Sequence, residues 1–183
     1  MPKKMNRATA AKAAAKSSRP KAKPAASRIT ARSTGRKTTP AVKAMPEGYH
    51  SVTPFLSTKG AAELVNFLKQ AFGATEIMSM PGPGGLVMHA EVNIGNSRLM
   101  ISEAMQGEPN RGSFYLYVAD ADAQYNRALD AGATSEREPK DEFWGDRMAT
   151  VRDPFGNTWS VATHKEDVSP DEMGKRAAAA MRG

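Results

Sequence analysis

Apolar and polar positions follow regular patterns only from Gly48 onward. Two segments, 60–72 and 121–131, show the three- and four-residue apolar spacing of amphipathic helices. Elsewhere, short runs in which apolar and polar residues alternate are typical of strands. The strands predicted in this way are 50–57, 75–80, 86–94, 98–102, 113–118, 134–140, 147–151 and 158–163.

The order of these elements repeats along the chain. A strand, a helix and three strands occur twice, roughly 60 residues apart, although the residues themselves are barely alike between the copies. The pattern therefore predicts an α+β fold for a body over 45–167, built from two modules at about 48–105 and 112–167. Residues 168–183 are predicted to form a short C-terminal helix that begins near Ser169.

Charge separates the first 44 residues from this body. Residues 1–44 carry 13 of the 26 Lys and Arg residues and no acidic residue, whereas residues 45–183 have a net charge of −6. The first segment has too few apolar side chains to compensate for the entropy lost on ordering its backbone, so we predict a disordered basic arm. Its cations favour weak, nonspecific contact with nucleic acid. A solvated tail without a specific role and an organelle transit peptide are the alternatives.

Composition excludes several classes of function. The chain has no cysteine, which excludes disulfides, thiol catalysis and cysteine-ligated zinc. No apolar run approaches the ~20 residues that span a bilayer, and no apolar core follows the first lysines as it does in a secretory signal. We therefore expect a cytoplasmic protein without a membrane partner.

The helix over 60–72 and the Gly73-Ala74 pair that follows resemble the first helix of the vicinal oxygen chelate superfamily, which includes glyoxalases, extradiol dioxygenases and bleomycin resistance proteins. Further motifs look most like its PhnB-like branch. They are His89-Ala90-Glu91-Val92, Leu99-Met100-Ile101-Ser102, Phe143-Trp144-Gly145-Asp146-Arg147 and Asp153-Pro154-Phe155-Gly156-Asn157-Thr158-Trp159. The resemblance covers about residues 48–167 and implies that two paired βαβββ modules form a half-open barrel. It also implies a small-molecule cavity on the concave side, often completed by a second subunit, so we expect a homodimer.

The metal-dependent members of this superfamily carry His and Glu ligands on the first and last strands of each module, and the resemblance locates those positions here. They fall near Thr53 and at Ser102, Ser113 and Ser160. All four are hydroxyl residues, and neutral hydroxyls are poor ligands for Zn²⁺, Ni²⁺ or Fe²⁺, which prefer imidazole and carboxylate. We therefore expect neither a metal nor another cofactor at this site.

Aromatic and basic residues are expected around the same concave face. A pocket lined by hydroxyls and aromatic rings suits a polar organic ligand held by hydrogen bonds and stacking. Trp144 is expected to stack on a planar group and Arg147 to meet an anion. The predicted ligand-binding residues are Thr53, Phe55, Ser102, Ser113, Tyr115, Tyr117, Trp144, Arg147 and Ser160. In the alternative interpretation, Trp144 covers the barrel end, Arg147 pairs with a surface acid, and the two tyrosines contact a second subunit.

Three functions are compatible with the sequence. The preferred one is a metal-free small-molecule binding protein, similar to bleomycin resistance proteins, that binds or sequesters a planar or charged compound and has no catalytic residue. The second is a metal-dependent lyase or isomerase of glyoxalase or dioxygenase type that uses the non-standard ligands His89, Glu91 and His164. His89 and Glu91 share one strand face because they are two residues apart, although a solvated His–carboxylate pair is the alternative. The third is an interaction protein that the basic arm tethers to nucleic acid.

Overall fold

The structure is a computed structural model that describes residues 42–182. The predicted arm therefore lies outside the described residues, apart from 42–44. The strands are β1 Phe55–Thr58, β2 Thr75–Pro81, β3 Val87–Ile94, β4 Ser97–Glu103, β5 Ser113–Tyr117, β6 Thr134–Asp141, β7 Asp146–Arg152 and β8 Thr158–His164. The helices are α1 Ala61–Phe72, α2 Ala121–Asp130 and α3 Pro170–Ala180, and a short 3₁₀ turn covers Pro83–Gly85.

The strands form two mixed four-stranded sheets, in the orders β1-β4-β3-β2 and β5-β8-β7-β6. β1 runs parallel to β4, and β5 runs parallel to β8, whereas all other neighbouring strands are antiparallel. The predicted α+β fold with two βαβββ modules is confirmed, whereas closure of the sheets into a half-open barrel stays a prediction. Within residues 42–182, no helix combines the length and the apolar character needed to cross a membrane.

The first strand is shorter than its pattern predicts. The alternation predicts a strand over 50–57, but β1 begins at Phe55. Alternating residues form a stable strand where one face is buried, and Val52 in the preceding segment is 82% exposed. Pairing with β4 starts at Pro54, whose carbonyl accepts a hydrogen bond from the Met100 N–H at 2.9 Å.

One hydrophobic core joins the two modules. Helices α1 and α2 pack against one face of the sheets and against each other, and Leu64 and Leu68 of α1 are fully buried. Trp159 of β8 lies between the modules, with its ring centroid 4.3 Å from that of Phe114 and 4.7 Å from that of Phe72. Because this core spans both modules, it holds the two sheets in one unit.

The other face of each sheet is turned away from the helices, and we call it the open face. Alternation decides which side chains reach it, because neighbouring residues of a strand point to opposite faces. Ala90 and Val92 of β3 are buried in the core, so His89, Glu91 and Asn93 point the other way. The open-face residues are Phe55 and Ser57 of β1; His89, Glu91 and Asn93 of β3; Arg98, Met100 and Ser102 of β4; Ser113, Tyr115 and Tyr117 of β5; Asp146, Met148, Thr150 and Arg152 of β7; and Ser160, Ala162 and His164 of β8.

A buried aspartate orients the start of β5. The Asp153 carboxylate accepts hydrogen bonds from the Phe155 and Asn157 N–H groups at 2.9 and 2.8 Å. It also accepts from Asn157 Nδ2 at 2.8 Å and from Trp159 Nε1 at 2.9 Å. The Asn157 Oδ1 in turn accepts from the Gly112 N–H at 2.8 Å, directly before β5. Because this network is anchored in the core, the direction of β5 and of its tyrosines is set by buried contacts.

The N-terminus of α1 is capped by a residue from another element. Its N-cap position is Gly60, with φ 81°, and has no side chain to accept a hydrogen bond. The Glu103 carboxylate at the end of β4 accepts from the Gly60 N–H at 3.1 Å and from the Ala61 N–H at 2.9 Å. An anion here satisfies two otherwise unpaired donors and interacts favourably with the helix dipole. Asp120 and Ser169 cap α2 and α3 with their own side chains.

Replacing Glu103 by Ala is expected to destabilise the protein by about 1–2 kcal/mol, because two N–H groups lose their acceptor. Glu103→Gln keeps one carbonyl acceptor and should cost less. Urea unfolding followed by tryptophan fluorescence gives the free energies, with Glu108→Ala at an exposed position of the same connection as the control. If Glu103→Ala and Glu108→Ala are equally stable, the capping role is wrong.

Candidate functional site

On the open face of the second module, one buried carboxylate gathers four donors. Asp146, the first residue of β7, is 3% exposed. Its Oδ2 accepts hydrogen bonds from the Tyr115 hydroxyl at 2.9 Å, the Tyr117 hydroxyl at 3.1 Å and Trp144 Nε1 at 3.2 Å. Its Oδ1 lies 2.9 Å from His164 Nδ1. We call these five residues the Asp146 cluster.

The strand register brings the cluster together. β8 lies between β5 and β7, with Asp146 paired opposite His164 at the end of the β7–β8 ladder. Tyr115 and Tyr117 are two residues apart on β5, so both reach the open face and both hydroxyls converge on one carboxylate oxygen. The cluster therefore depends on three strands that the core already positions.

A tight turn places Trp144 beside Asp146. Gly145 has φ 98°, a backbone conformation that favours glycine. Its carbonyl accepts hydrogen bonds from the Lys165 and Glu166 N–H groups at 2.9 and 3.1 Å. A Cβ atom at position 145 would lie 2.2 Å from the Glu166 carbonyl oxygen. Position 145 is therefore restricted to glycine both by its backbone conformation and by the chain segment that follows β8.

Hydrogen bonding outweighs burial in setting the charge of Asp146. Burial raises the pKa of Asp146, but the hydrogen bonds from His164, the two tyrosines and Trp144 together bring that pKa below its usual range. Burial and the hydrogen bond to Asp146 raise the pKa of Tyr115 to about 12. Hydrogen bonds to Asp146 and then to Asp167 raise the pKa of His164. Near neutral pH, Asp146 is therefore charged and Tyr115 is a neutral donor.

The predicted hydroxyl residues lie on the open faces of both modules. Ser160 is half-buried, and its Oγ lies 3.3 Å from the Oγ1 of Thr150 on the neighbouring strand. Ser113 is exposed at the start of β5, and Ser102 is half-buried on β4 of the first module. Thr150 was not among the predicted site residues, although alternation along the predicted strand 147–151 indicates its face.

On the open face of the first module, a second buried acid, Glu91, is covered by Tyr49 from the segment before β1. Glu91 is 6% exposed and accepts hydrogen bonds from the Tyr49 hydroxyl and, at 3.1 Å, from Arg98 Nη1. The guanidinium carbon of Arg98 lies 4.5 Å from the centre of the Tyr49 ring. His89 Nε2 lies 3.4 Å from Glu91 Oε1, and the His89 ring stacks at 6.3 Å on that of Phe55. Burial raises the pKa of Glu91, but its hydrogen bonds and the Arg98 charge lower it below its usual range.

Two predicted ligand-binding residues make hydrogen bonds outside the Asp146 cluster. Arg147 is turned toward α2, where Nη2 donates to Asp122 Oδ1 at 2.7 Å, and its Nη1 donates to Asp141 Oδ1 at 3.2 Å. The alternative interpretation, a surface ion pair, is thus the arrangement found, because alternation along β7 places Arg147 on the helix side. Thr53 precedes β1, and its hydroxyl donates to the His50 carbonyl at 3.3 Å. Arg147 is therefore not oriented toward the open face, whereas a ligand-binding role of Thr53 stays a prediction.

The alternative metal ligands are not brought together. His89 and Glu91 lie on the sheet of the first module, whereas His164 belongs to the Asp146 cluster of the second. Among residues 42–182, no group of three or more His, Asp or Glu side chains is arranged to hold a metal ion. The hydroxyls at the expected ligand positions are poor donors for a divalent cation. The donor set of the described chain therefore does not fit such a metal.

A cavity of about 170 Å³ lies between the two modules, and Tyr115 is the one residue of the Asp146 cluster that lines it. Tyr115, Leu116 and Trp159 line it from the second module, and Arg98 and Leu99 line it from the first. Most of its lining side chains are apolar or aromatic. The cavity therefore extends the surface around Tyr115 toward the first module.

Residues 49–161 match the model of the Glyoxalase/Bleomycin resistance protein/Dioxygenase superfamily, and the chain belongs to that superfamily. An uncharacterized protein of Mycobacterium bovis is 34% identical over an alignment 137 positions long, which covers 67% of this chain and 89% of the relative. An uncharacterized protein of Mycobacterium tuberculosis has the same identity over 67% of this chain and 79% of its own length.

Solved structures share the fold. TioX from Micromonospora sp. ML1 superimposes with a TM-score of 0.56 at 24% identity, over 62% of this chain and 97% of that protein. A protein from Pseudomonas aeruginosa superimposes with a TM-score of 0.52 at 24% identity, over 63% of this chain and 98% of that protein. At this level of identity the likeness establishes the architecture and not the ligand.

The pair of His164 and Asp146 is expected to stabilise the fold within a limited pH window. Because folding raises the pKa of His164, its contribution is complete below the ordinary histidine value of ~6.5 and is lost as the pH rises through the raised value. Because folding lowers the pKa of Asp146, its contribution is present above the ordinary aspartate value and is lost as the pH falls through the lowered one.

We therefore expect His164→Gln to reduce the free energy of unfolding at about pH 5.5 and to have a smaller effect at about pH 9. Urea unfolding at both pH values measures the difference. An NMR titration of the wild-type imidazole checks its protonation directly. An effect of His164→Gln that is equal at the two pH values would contradict the ion pair.

Proposed function

We propose that this protein binds a small organic molecule, without a metal ion, on the open face of its second module. The compound is planar or charged and polar, and the protein carries or sequesters it as bleomycin resistance proteins do. The observation that carries the proposal is the Asp146 cluster, which holds two tyrosines, a tryptophan and a histidine around one buried carboxylate. We also assign the chain to the PhnB-like branch of its superfamily, on the motifs at 89–92 and 143–147.

The chemistry of the surrounding residues supports binding over catalysis. Aromatic rings offer stacking surface, and the hydroxyls of Ser113, Thr150 and Ser160 donate and accept hydrogen bonds to a polar ligand. The raised pKa of Tyr115 keeps its proton in place at neutral pH, so this phenol donates a hydrogen bond and does not act as a base. The same residue borders the cavity of about 170 Å³, which offers room for an apolar part of the ligand.

We propose that two copies of the chain pair so that the open faces become enclosed. Phe55, Tyr115 and Tyr117 are all exposed on these faces, and large exposed apolar surfaces mark interaction sites. β5 is also an edge strand of its sheet, with backbone groups on its outer side available for pairing. A second subunit that covers this edge would remove the ligand from solvent.

Native mass spectrometry of the full-length protein tests these proposals together. We expect a dimer that carries the mass of a small organic compound and no stoichiometric metal. A transition metal bound one per subunit, and lost in His89→Ala, would contradict metal-free binding and favour the lyase or isomerase. A monomer at micromolar concentration would contradict the pairing of open faces.

Trp144→Ala is expected to weaken binding of the retained compound by about 1–3 kcal/mol, because a stacking ring at the site is removed. Trp144→Phe keeps a ring and loses only the hydrogen bond to Asp146, so it should retain most of the affinity. Isothermal titration calorimetry measures both variants after urea unfolding has shown that they are folded. If Trp144→Ala binds as well as the wild type, Trp144 only covers the end of the sheet.

A further inference from the structure

We propose that the compound bound at the Asp146 cluster is an organic cation, a planar molecule that carries a quaternary or protonated nitrogen. This ligand class presupposes the proposed function and narrows it. The proposal rests on the side chains of Tyr115, Tyr117 and Trp144, which all donate hydrogen bonds to the buried Asp146 carboxylate. Three further observations on rings, charge and basic side chains support a cation over a neutral or anionic compound.

The rings supply a surface that attracts positive charge. Tyr115 and Tyr117 are 47% and 62% exposed, with ring centroids 5.2 Å apart and an interplanar angle of 54°. Trp144 is half-buried beside them and donates to the same oxygen of Asp146. The face of an aromatic ring carries negative potential and attracts a cation placed over it. Because the phenol and indole hydrogens point at a carboxylate, electron density is pushed into the rings, which strengthens this attraction.

The groups that are hydrogen-bonded to His164 and Asp146 carry more negative than positive charge. The His164 imidazole lies between two carboxylates, with Nδ1 2.9 Å from Asp146 Oδ1 and Nε2 3.1 Å from Asp167 Oδ1. Even when it is protonated, His164 neutralises only one of the two acids. The tyrosine and tryptophan donors are neutral and cancel no charge. A bound cation compensates the remaining charge, whereas an anion adds to it.

The arginines on the β4 and β7 parts of the open faces are paired with acids. Arg98 Nη1 lies 3.1 Å from Glu91 Oε2, and Arg152 pairs with Glu136 at the far end of β7. Lys140, which pairs in register with Met148, is an exposed basic residue on the same face of the second module. Residues 45–183 have a net charge of −6, which favours the approach of a cation over that of an anion.

Three probes that share one bicyclic ring and differ in charge test the ligand class. They are 2-naphthyltrimethylammonium, 2-naphthamide and 2-naphthoate, titrated by calorimetry into the full-length protein in about 0.15 M salt, where contacts between exposed charges are screened. We expect the ammonium probe to bind about tenfold tighter than the amide, as a cation over aromatic faces should. We expect the carboxylate probe to bind more weakly than the amide.

Substitutions at Tyr117 separate the ring from general hydrophobic contact. Tyr117→Leu keeps an apolar side chain and removes the aromatic face, so the preference for ammonium over amide should fall by about fivefold. Tyr117→Phe keeps the face and should retain most of the preference. Because Tyr117 is exposed, both variants are expected to fold. Asp146→Asn, checked for folding by urea unfolding, should reduce the same preference by removing the charge.

The outcomes for the ligand class and for the proposed function are distinguishable. Equal affinity for all three probes, with each weakened by Trp144→Ala, overturns the cation and leaves small-molecule binding intact. Tighter binding of the carboxylate overturns the cation as well, and so does an unchanged preference in Tyr117→Leu. If no probe binds at millimolar concentration, the cation class is wrong, and the compound retained in native mass spectrometry decides the proposed function separately.

Discussion

The burial of one negative charge governs the arrangement of the open face. A carboxylate removed from water is tolerated only where other donors replace its hydration, and four side chains do so at Asp146. Two are tyrosines of β5, one is the tryptophan of a tight turn, and one is the last residue of β8. The requirement that stabilises the charge therefore also holds aromatic rings in fixed positions at an exposed surface. Such preorganisation lowers the entropic cost of binding a rigid ligand.

The two modules place a buried acid on their open faces in different ways. In the first module, the charge of Arg98 compensates Glu91, and Tyr49 from the segment before β1 covers both. In the second module, three of the four donors to Asp146 are uncharged, and two of the rings remain exposed. The two modules therefore share a fold, but the surroundings of their buried acids differ. The same βαβββ frame covers the buried acid with another part of the chain in the first module and leaves aromatic rings exposed around it in the second.

The fold could be predicted from the sequence because burial on one face imposes alternation on strands and a three- and four-residue spacing on helices. The site could be predicted only in part. Strand parity places Tyr115 and Tyr117 on the open face, and a motif contains Trp144. An acid after Trp144-Gly145 is typical of a turn, so the sequence gives no signal that Asp146 gathers the other side chains. Its partner Tyr115 lies 31 residues away, and Tyr49 lies 42 residues from Glu91. Local patterns contain no information on such distant pairings.

Gly145 makes the geometry of the Asp146 cluster dependent on the segment after β8. The turn that carries Trp144 and Asp146 is hydrogen-bonded to the segment after β8, and Arg176 of α3 holds that segment through two contacts of 2.8 Å to Glu166. No larger residue fits at position 145 without displacing this backbone. The turn at Gly145 and the segment after β8 are therefore constrained by each other. A change in the segment after β8 should therefore shift Trp144 and Asp146 even where both residues are kept.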